Sequence, residues 1–289
     1  MNQHTLKNHL SDQLKLAESQ FNDLPYFGNY YDMNSPEECR IAMHPDNRHK
    51  NHGIFVGLPY DHNLVQSMTD YINASPMRFG GYYYLACQGT LEHTLADFWE
   101  LIWSEESTLI MTLTNLIEDY EGRPSRKFEQ FWPEPPTEVK IGKFDLNLTE
   151  EKTLVEWDDE RKETIIRRTI QAKKDHHTRE VRQLHMVNWP DGSIIRPDSL
   201  YQLLQCADEH ADGNPIIVHC MGGIGRTGTF IAAHSLFHDM KKTLQGKQIE
   251  FDVLKRIQAM RKLRFGSVVA EPEQYVLIIE TLEEALKHL

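Results

Sequence analysis

The chain's apolar positions change rhythm several times, and the rhythm predicts its elements. Leu6, Leu10, Leu14, Leu16 and Ala17 fall near helical spacing, so residues 1 to about 25 are expected to be helical, with Pro25 ending the pattern. The stretch to about residue 65 is rich in Asn, His, Gly and Pro and is expected to be loops. Residues 82–88 and 108–113 are β-branched or aromatic runs that predict buried strands. Between them Leu95, Phe98, Trp99, Ile102 and Trp103 keep helical spacing. Residues 122–136 are punctuated by Pro and Gly and predict a loop. Residues 164–170 and 179–187 alternate like paired strands, and 216–218 is a short continuous apolar run suited to a central strand.

Three helices close the pattern. The first follows Gly225 and carries Phe230, Ile231, His234 and Phe237 along one side. The second carries Phe251, Leu254 and Ile257, and the last Tyr275, Ile278, Ile279, Leu282 and Leu286. No Pro/Gly/Ser linker divides the chain. Residues 1–289 are therefore expected to form one α/β domain, with residues 1–40 as a helical and loop N-terminal extension.

Composition narrows the function. The 289 residues are 40% hydrophobic and 26% charged, an ordinary balance for a globular protein. No run approaches the roughly 18 consecutive apolar residues of a membrane span, and the first residues lack the apolar core of a secretory signal. The expectation is a cytoplasmic protein. A formal net charge of −12 and the lack of a basic stripe argue against a nucleic-acid partner. The charge does not exclude an anionic substrate, because a small basic pocket dominates locally. The four cysteines, Cys39, Cys87, Cys206 and Cys220, form no CxxC pair and no zinc-like spacing with histidine, and no cofactor is expected. The pair His176-His177 is expected to be a solvated loop, and the acidic run 156–160 a solvated surface.

One segment carries chemistry: Val218-His219-Cys220-Met221-Gly222-Gly223-Ile224-Gly225-Arg226-Thr227-Gly228. A buried strand delivers a cysteine, a glycine-rich turn follows, and an arginine opens a helix. Glycines let successive N–H groups curl inward into an anion nest, and the helix N-terminus adds its partial positive charge. Arg226 offers a planar fork for two phosphate oxygens. A thiolate of Cys220 at the floor of this electropositive bowl would be stabilised and aimed at phosphorus. Cys-x5-Arg spacing alone is weak, but with the strand, the His-Cys pair, the glycines and Arg-Thr-Gly it is strong. A Walker-type loop lacks its Gly-Lys-Ser/Thr here. Some thirty residues earlier stands Trp189-Pro190-Asp191. A carboxyl on a loop closing over the bowl would protonate a leaving oxygen. Taken alone, Pro-Asp-Gly is more often a surface turn; beside the cradle, the chemical reading is preferred.

At these residues the sequence resembles the cysteine-dependent protein tyrosine phosphatases, from about residue 50 to 280. The resemblance runs through Tyr60-Asp61-His62, Asp70-Tyr71-Ile72-Asn73-Ala74-Ser75, Tyr84-Leu85-Ala86-Cys87-Gln88-Gly89 and Asp97-Phe98-Trp99. It continues through Thr114-Asn115-Leu116 with Glu118, Phe131-Trp132-Pro133, Val181-Arg182-Gln183-Leu184, the two motifs above and Glu273-Gln274-Tyr275. It implies a central twisted mixed β-sheet flanked by α-helices, no metal, and a two-step mechanism through a phosphocysteine. Residue by residue it implies Cys220 as nucleophile, Arg226 as phosphate clamp and Asp191 as general acid. It likewise implies Thr227 as the hydroxyl that helps the thiolate leave and Gln274 as a glutamine that positions water. Met221, Gly222, Gly223, Ile224 and Gly225 bind the phosphate with Arg226. His219, Glu118, Lys127 and Trp189 support the site. The implied partners are phosphotyrosine-containing proteins, acted on by a monomer.

The sequence also departs from the family. Ile54, or Phe55 with a one-residue shift, stands where a tyrosine lines the phosphotyrosine slot, and Val56 where an Asp or Asn meets substrate backbone. The acid loop, Asp191-Gly192-Ser193, is one residue short, Met221-Gly222 replaces a small pair, and Ala270 stands where a second glutamine is usual. Two alternatives stay open: a catalytically weak phosphotyrosine-binding module, and a phosphatase for phosphoserine/threonine or phosphoinositides. The compact chain, the altered slot and the lack of recognisable targeting domains suggest a microbial or viral member, of a kind delivered into a host cell.

Overall fold

The computed structural model describes residues 2–24, 37–53, 56–134, 137–157, 160 and 162–289. The expectations for Pro25, Ile54 and Phe55 lie outside the described residues. Helix α1 (Gln3–Lys15) begins at Asn2, whose side chain accepts from Thr5 N–H at 2.8 Å. The turn tightens at Leu16, whose N–H reaches both Asp12 and Gln13 carbonyls. The single helix expected here is therefore split into α1 and α2 (Ala17–Asn22). Leu6 and Leu10 are fully buried in the main core.

The segment expected to be loops holds two short helices, α3 (Arg40–Met43) and α4 (Pro45–Arg48), and a two-residue strand β1 (Leu58–Pro59). Pro45 sits in the first turn of α4, where its missing N–H costs nothing. Then come β2 (Ala74–Phe79), β3 (Tyr82–Cys87), α5 (Leu95–Ser104) and β4 (Leu109–Thr112). Strands β5 (Ile117–Tyr120) and β6 (Arg123–Arg126) form a hairpin where 122–136 was expected to be loop. Its two turn residues, Glu121 and Gly122, both have positive φ, the twist a two-residue hairpin needs. Pro124 is tolerated because the ribbon has only two strands.

Strands β7 (Val139–Ile141), β8 (Phe144–Glu156), β9 (Thr164–Lys174) and β10 (His177–Val187) follow. Helix α6 (Pro197–His210), β11 (Ile216–His219), α7 (Gly225–Leu244), α8 (Val253–Arg261), β12 (Arg264–Phe265) and α9 (Pro272–Leu286) complete the chain. Strand β8 left little trace in the sequence, because most of its length is exposed or half-buried and polar.

The main sheet has the order β2-β3-β11-β4-β10-β9-β8-β7. Strands β3, β11, β4 and β10 are parallel, and the outer pairings are antiparallel. The chain thus adopts the expected α/β fold, a mixed sheet flanked by helices. Strand β11 lies inside this parallel group and all four of its residues are buried. Its side chains alternate: Ile216 and Val218 join the core under α6, α7 and α9, while Ile217 joins the one built on Phe98, Trp99 and Ile102 of α5. Both faces being covered explains the continuous apolar run. The C-terminal end of β11 is thereby fixed from both sides, and Cys220 follows it. No helix of the described residues is long and apolar enough to cross a membrane.

Candidate active site

The loop from Cys220 to Gly225 joins the end of β11 to the start of α7, and its outward-facing carbonyls are all held. Met221 O accepts from Gly89 N–H at 2.8 Å, and Gly222 O from Gly57 N–H at 2.8 Å. Gly223 O accepts from Arg264 Nε at 2.7 Å. Ile224 O accepts from Gly228 N–H at 2.8 Å and Val269 N–H at 3.3 Å. With the carbonyls pinned outward, the peptide N–H groups turn toward the bowl. The Gly223 N–H lies 3.3 Å from Cys220 Sγ. Gly223 has φ +68°, and a Cβ there would stand 2.3 Å from the Cys87 carbonyl oxygen, so only glycine closes this turn.

Arg264 was not anticipated from the sequence. It is fully buried on β12, and its guanidinium also reaches Gly57 O, Asn73 Oδ1, Ser75 Oγ and Gly222 O at 2.8–3.3 Å. Burial lowers its pKa, yet five acceptors surround it. Its only sequence signal is a basic residue between Leu263 and Phe265, which does not by itself separate a core arginine from a surface one.

Arg226 opens α7 and is 1% exposed. Its Nη1 donates to Glu118 Oε1 at 2.6 Å and to the Trp189 carbonyl at 2.6 Å; its Nη2 donates to Asp191 Oδ1 at 3.0 Å. Burial alone would lower its pKa, but Cys220, Asp191 and Glu118 outweigh burial and raise it. Glu118 is a bracket between three loops. It accepts from Thr114 Oγ1 at 2.7 Å, and its Oε2 accepts from the Asp191 N–H at 3.0 Å. Lys127 is buried and lies 3.2 Å from Asp191 Oδ2. Trp189 is fully buried and its Nε1 donates to Ser193 O at 3.1 Å, bracing the acid loop. The Asp191 carboxyl is therefore drawn down onto the cradle, half-exposed on its outer side.

Gln274, near the start of α9, accepts from Ala270 N–H at 3.0 Å, and its Nε2 lies 3.5 Å from Ser193 O. It borders Gly225, where an added Cβ would lie 3.1 Å from its Oε1. Thr227 is buried, and among the described residues its hydroxyl has no hydrogen-bond partner. His219 stands behind the cysteine with Nδ1 3.2 Å from the Cys220 carbonyl, ringed by Phe98, Phe128 and Phe131. Burial pushes its pKa down to about 4, so it is neutral at pH 7. Burial raises the thiol pKa of Cys39 and Cys87 to about 12 and that of Cys206 to about 11.

Among the described residues one group has metal-ligand geometry: Asp208 with His234 and His238. Lys241 Nζ lies 3.2 Å from Asp208 Oδ2, and Tyr82 donates to Oδ1 at 3.1 Å. The carboxylate is already satisfied by these donors and the two imidazoles, so the cluster is accounted for as a link between α6 and α7.

Such a constellation can receive a tetrahedral dianion: N–H groups and a guanidinium hold its oxygens, a thiol lies on one side and a carboxyl above. The protein-tyrosine phosphatase family model matches residues 46–284. Receptor-type tyrosine-protein phosphatase zeta of Rattus norvegicus is 35% identical over 267 residues, covering 85% of this chain and 11% of that protein. Tyrosine-protein phosphatase 2 of Dictyostelium discoideum is 32% identical over 230 residues, covering 76% of this chain and 57% of that protein. The chain thus spans about a tenth of the length of its receptor-type relative. A solved structure of PTPN18 in complex with HER2 pY1196 phosphopeptides superposes with TM-score 0.73 at 28% identity, covering 85% of this chain and 84% of that one. A second PTPN18 structure, from work on distinct HER2 tyrosine phosphorylation sites, gives TM-score 0.80 at 26% identity, covering 99% of both chains. With the family model spanning most of the chain and its signature wrapped around Cys220, the chain belongs to the protein-tyrosine phosphatase family.

Proposed function

We propose that this protein hydrolyses phosphotyrosine in protein substrates through a phosphocysteine intermediate. The observation that carries the proposal is the convergence of Cys220, Arg226 and Asp191 on one cradle, with Arg226 Nη2 3.0 Å from Asp191 Oδ1. In the first step the Cys220 sulfur attacks phosphorus. The S–P bond forms, the bond from phosphorus to the phenolic oxygen breaks, and Asp191 gives its proton to that oxygen. The inward N–H groups and Arg226 hold the three equatorial oxygens, over which the charge of the transferring phosphoryl group is spread, and Asp191 meets the charge that develops on the leaving oxygen. In the second step water attacks phosphorus, Asp191 takes the water proton, and the P–S bond breaks to release inorganic phosphate. Gln274, between Gly225 and the acid loop, positions that water. The Thr227 hydroxyl, free of protein partners among the described residues, is available to stabilise the departing thiolate. Glu118, Lys127, Trp189 and His219 hold these groups in place. Phosphotyrosine peptides bound by PTPN18 support the substrate class. The uncharged cradle positions Met221, Gly222, Gly223 and Ile224 favour it over more highly charged inositol phosphates. The same reading takes the domain to act as a monomer in the cytoplasm.

The deciding measurement is steady-state hydrolysis of a phosphotyrosine peptide, a matched phosphoserine peptide and an inositol phosphate by the wild type and Cys220→Ser. Turnover confined to phosphotyrosine and lost in Cys220→Ser is expected. Binding of the peptide without turnover by the wild type would replace the enzyme with a phosphotyrosine-binding module.

A further inference from the structure

Behind the cradle a chain of buried polar side chains crosses the sheet one strand at a time. Arg168 on β9 donates from Nε to Glu151 Oε2 at 2.5 Å, and from Nη1 to Gln183 Oε1 at 3.2 Å and His185 Nδ1 at 3.0 Å. Gln183 is its direct partner on β10, and its amide donates to Thr112 Oγ1 on β4 at 2.8 Å. Thr112 is paired with His219 on β11, and its Oγ1 lies 2.9 Å from His219 Nε2. His219 Nδ1 completes the chain at the Cys220 carbonyl. Gln183, Thr112 and His219 are all essentially inaccessible, and a polar network in such a place is held to full satisfaction.

The two ends give the chain one direction. A guanidinium has only donors and a carbonyl only accepts. Gln183 must therefore turn its oxygen to Arg168 and its NH₂ to Thr112. The Thr112 hydroxyl, receiving that hydrogen, gives its own to His219 Nε2. Nε2 is then bare, and Nδ1 carries the proton that reaches Cys220 O. A threonine hydroxyl alone would be indifferent, because it accepts from an Nε2–H as readily as it donates to a bare nitrogen. The reversed order would leave two lone-pair carriers, Nδ1 and the Cys220 carbonyl, facing each other. Arg168 removes that choice, and Glu151 at the surface steadies Arg168.

We propose that Arg168, acting through Gln183 and Thr112, is a positioning residue for phosphoryl transfer: it fixes His219 as the Nδ1–H tautomer and so pins the Cys220 carbonyl at the entrance to the cradle. The proposal rests on the phosphatase reading for its kinetic consequence, but its structural consequence is independent of turnover. Burial, and after it the positive charge of Arg226, oppose protonation of His219, so a second proton is not expected there at neutral pH.

The test is long-range ¹H–¹⁵N NMR of the ¹⁵N-histidine-labelled protein, with His219 assigned by loss of its signals in His219→Gln, beside kcat and KM for an aryl phosphate. In the wild type and in Arg168→Lys, which keeps a donor at the outer end, Nδ1 is expected to be protonated and Nε2 bare. Gln183→Glu presents an acceptor to Thr112, so the hydroxyl must donate outward and accept from His219. A protonated Nε2 is expected, with kcat down about tenfold and KM little changed. Arg168→Met, nearer the surface, is expected to give a mixture of tautomers and a smaller loss, and carries the test if Gln183→Glu does not fold. A protonated Nε2 in the wild type, or a folded Arg168→Met with an unchanged His219 spectrum and unchanged kcat, would overturn the proposal. If the wild type does not turn over at all, the spectra still decide the tautomer, so the two failures are distinguishable.

Discussion

Arg226 and Asp191 face each other across the mouth of the cradle, Nη2 to Oδ1 at 3.0 Å. On the proposed mechanism an incoming phosphate dianion would compete with that carboxylate for the same guanidinium. Its arrival would free Asp191 to meet the leaving oxygen, and the contact would couple substrate binding to placement of the acid. Asp191→Ala removes the competitor and the proposed proton donor together. The expected outcome is a fall in kcat of roughly 10²-fold or more, with KM for a phosphotyrosine peptide unchanged or lower. Calorimetric titration of the variant with inorganic phosphate is expected to show tighter binding than in the wild type.

Arg264 ties the back of the cradle to β1, β2 and the segment before it. Arg264→Lys keeps a positive charge but has no planar fork to reach Gly223 O, Gly57 O and Asn73 Oδ1 together. Leaving buried acceptors unpaired is expected to cost about 2–4 kcal/mol. Urea denaturation measures that loss, and kcat should fall in the variant at temperatures where it remains folded.

Two glycines of positive φ provide a matched pair. At Gly223 an added Cβ meets the Cys87 carbonyl at 2.3 Å, whereas at Gly192 it meets nothing within 4 Å. Gly223→Ala is expected to reshape the cradle and abolish turnover. Gly192→Ala should cost only the strain of a left-handed alanine, about 1 kcal/mol, and leave most activity. Rates of aryl phosphate hydrolysis, normalised to folded protein, compare the two.

Two histidines predict a pH dependence of stability. Burial holds His219 at about 4 and His185 at about 3, against an unfolded value of about 6.5. Below that value the unfolded chain binds protons the folded chain refuses. Stability is therefore fully present above about pH 6.5 and is lost as pH falls toward 4, by up to about 1.4 kcal/mol per pH unit for each histidine. Thermal melts across this range should show the decline, and His185→Gln should reduce its slope.

The cradle was legible in the sequence because it is contiguous. A buried strand, a glycine-rich turn and a helix start bring Cys220, the loop N–H groups and Arg226 together by local geometry alone, with no distant residue needed to recognise them. Asp191 was legible only beside that motif, since a Pro-Asp-Gly turn by itself carries no function. The rest was decided by packing. Arg264 lies 41 residues from the Gly223 carbonyl that it holds, and Arg168 reaches the cysteine only through side chains on three further strands. Whether an arginine ends in water or inside the sheet depends on which strands flank it, and local periodicity does not encode strand order. The sequence by itself picked out the candidate cradle and acid, because the cradle is a contiguous motif; the eight-stranded order, by burying unlike elements side by side, decided which polar groups hold them still.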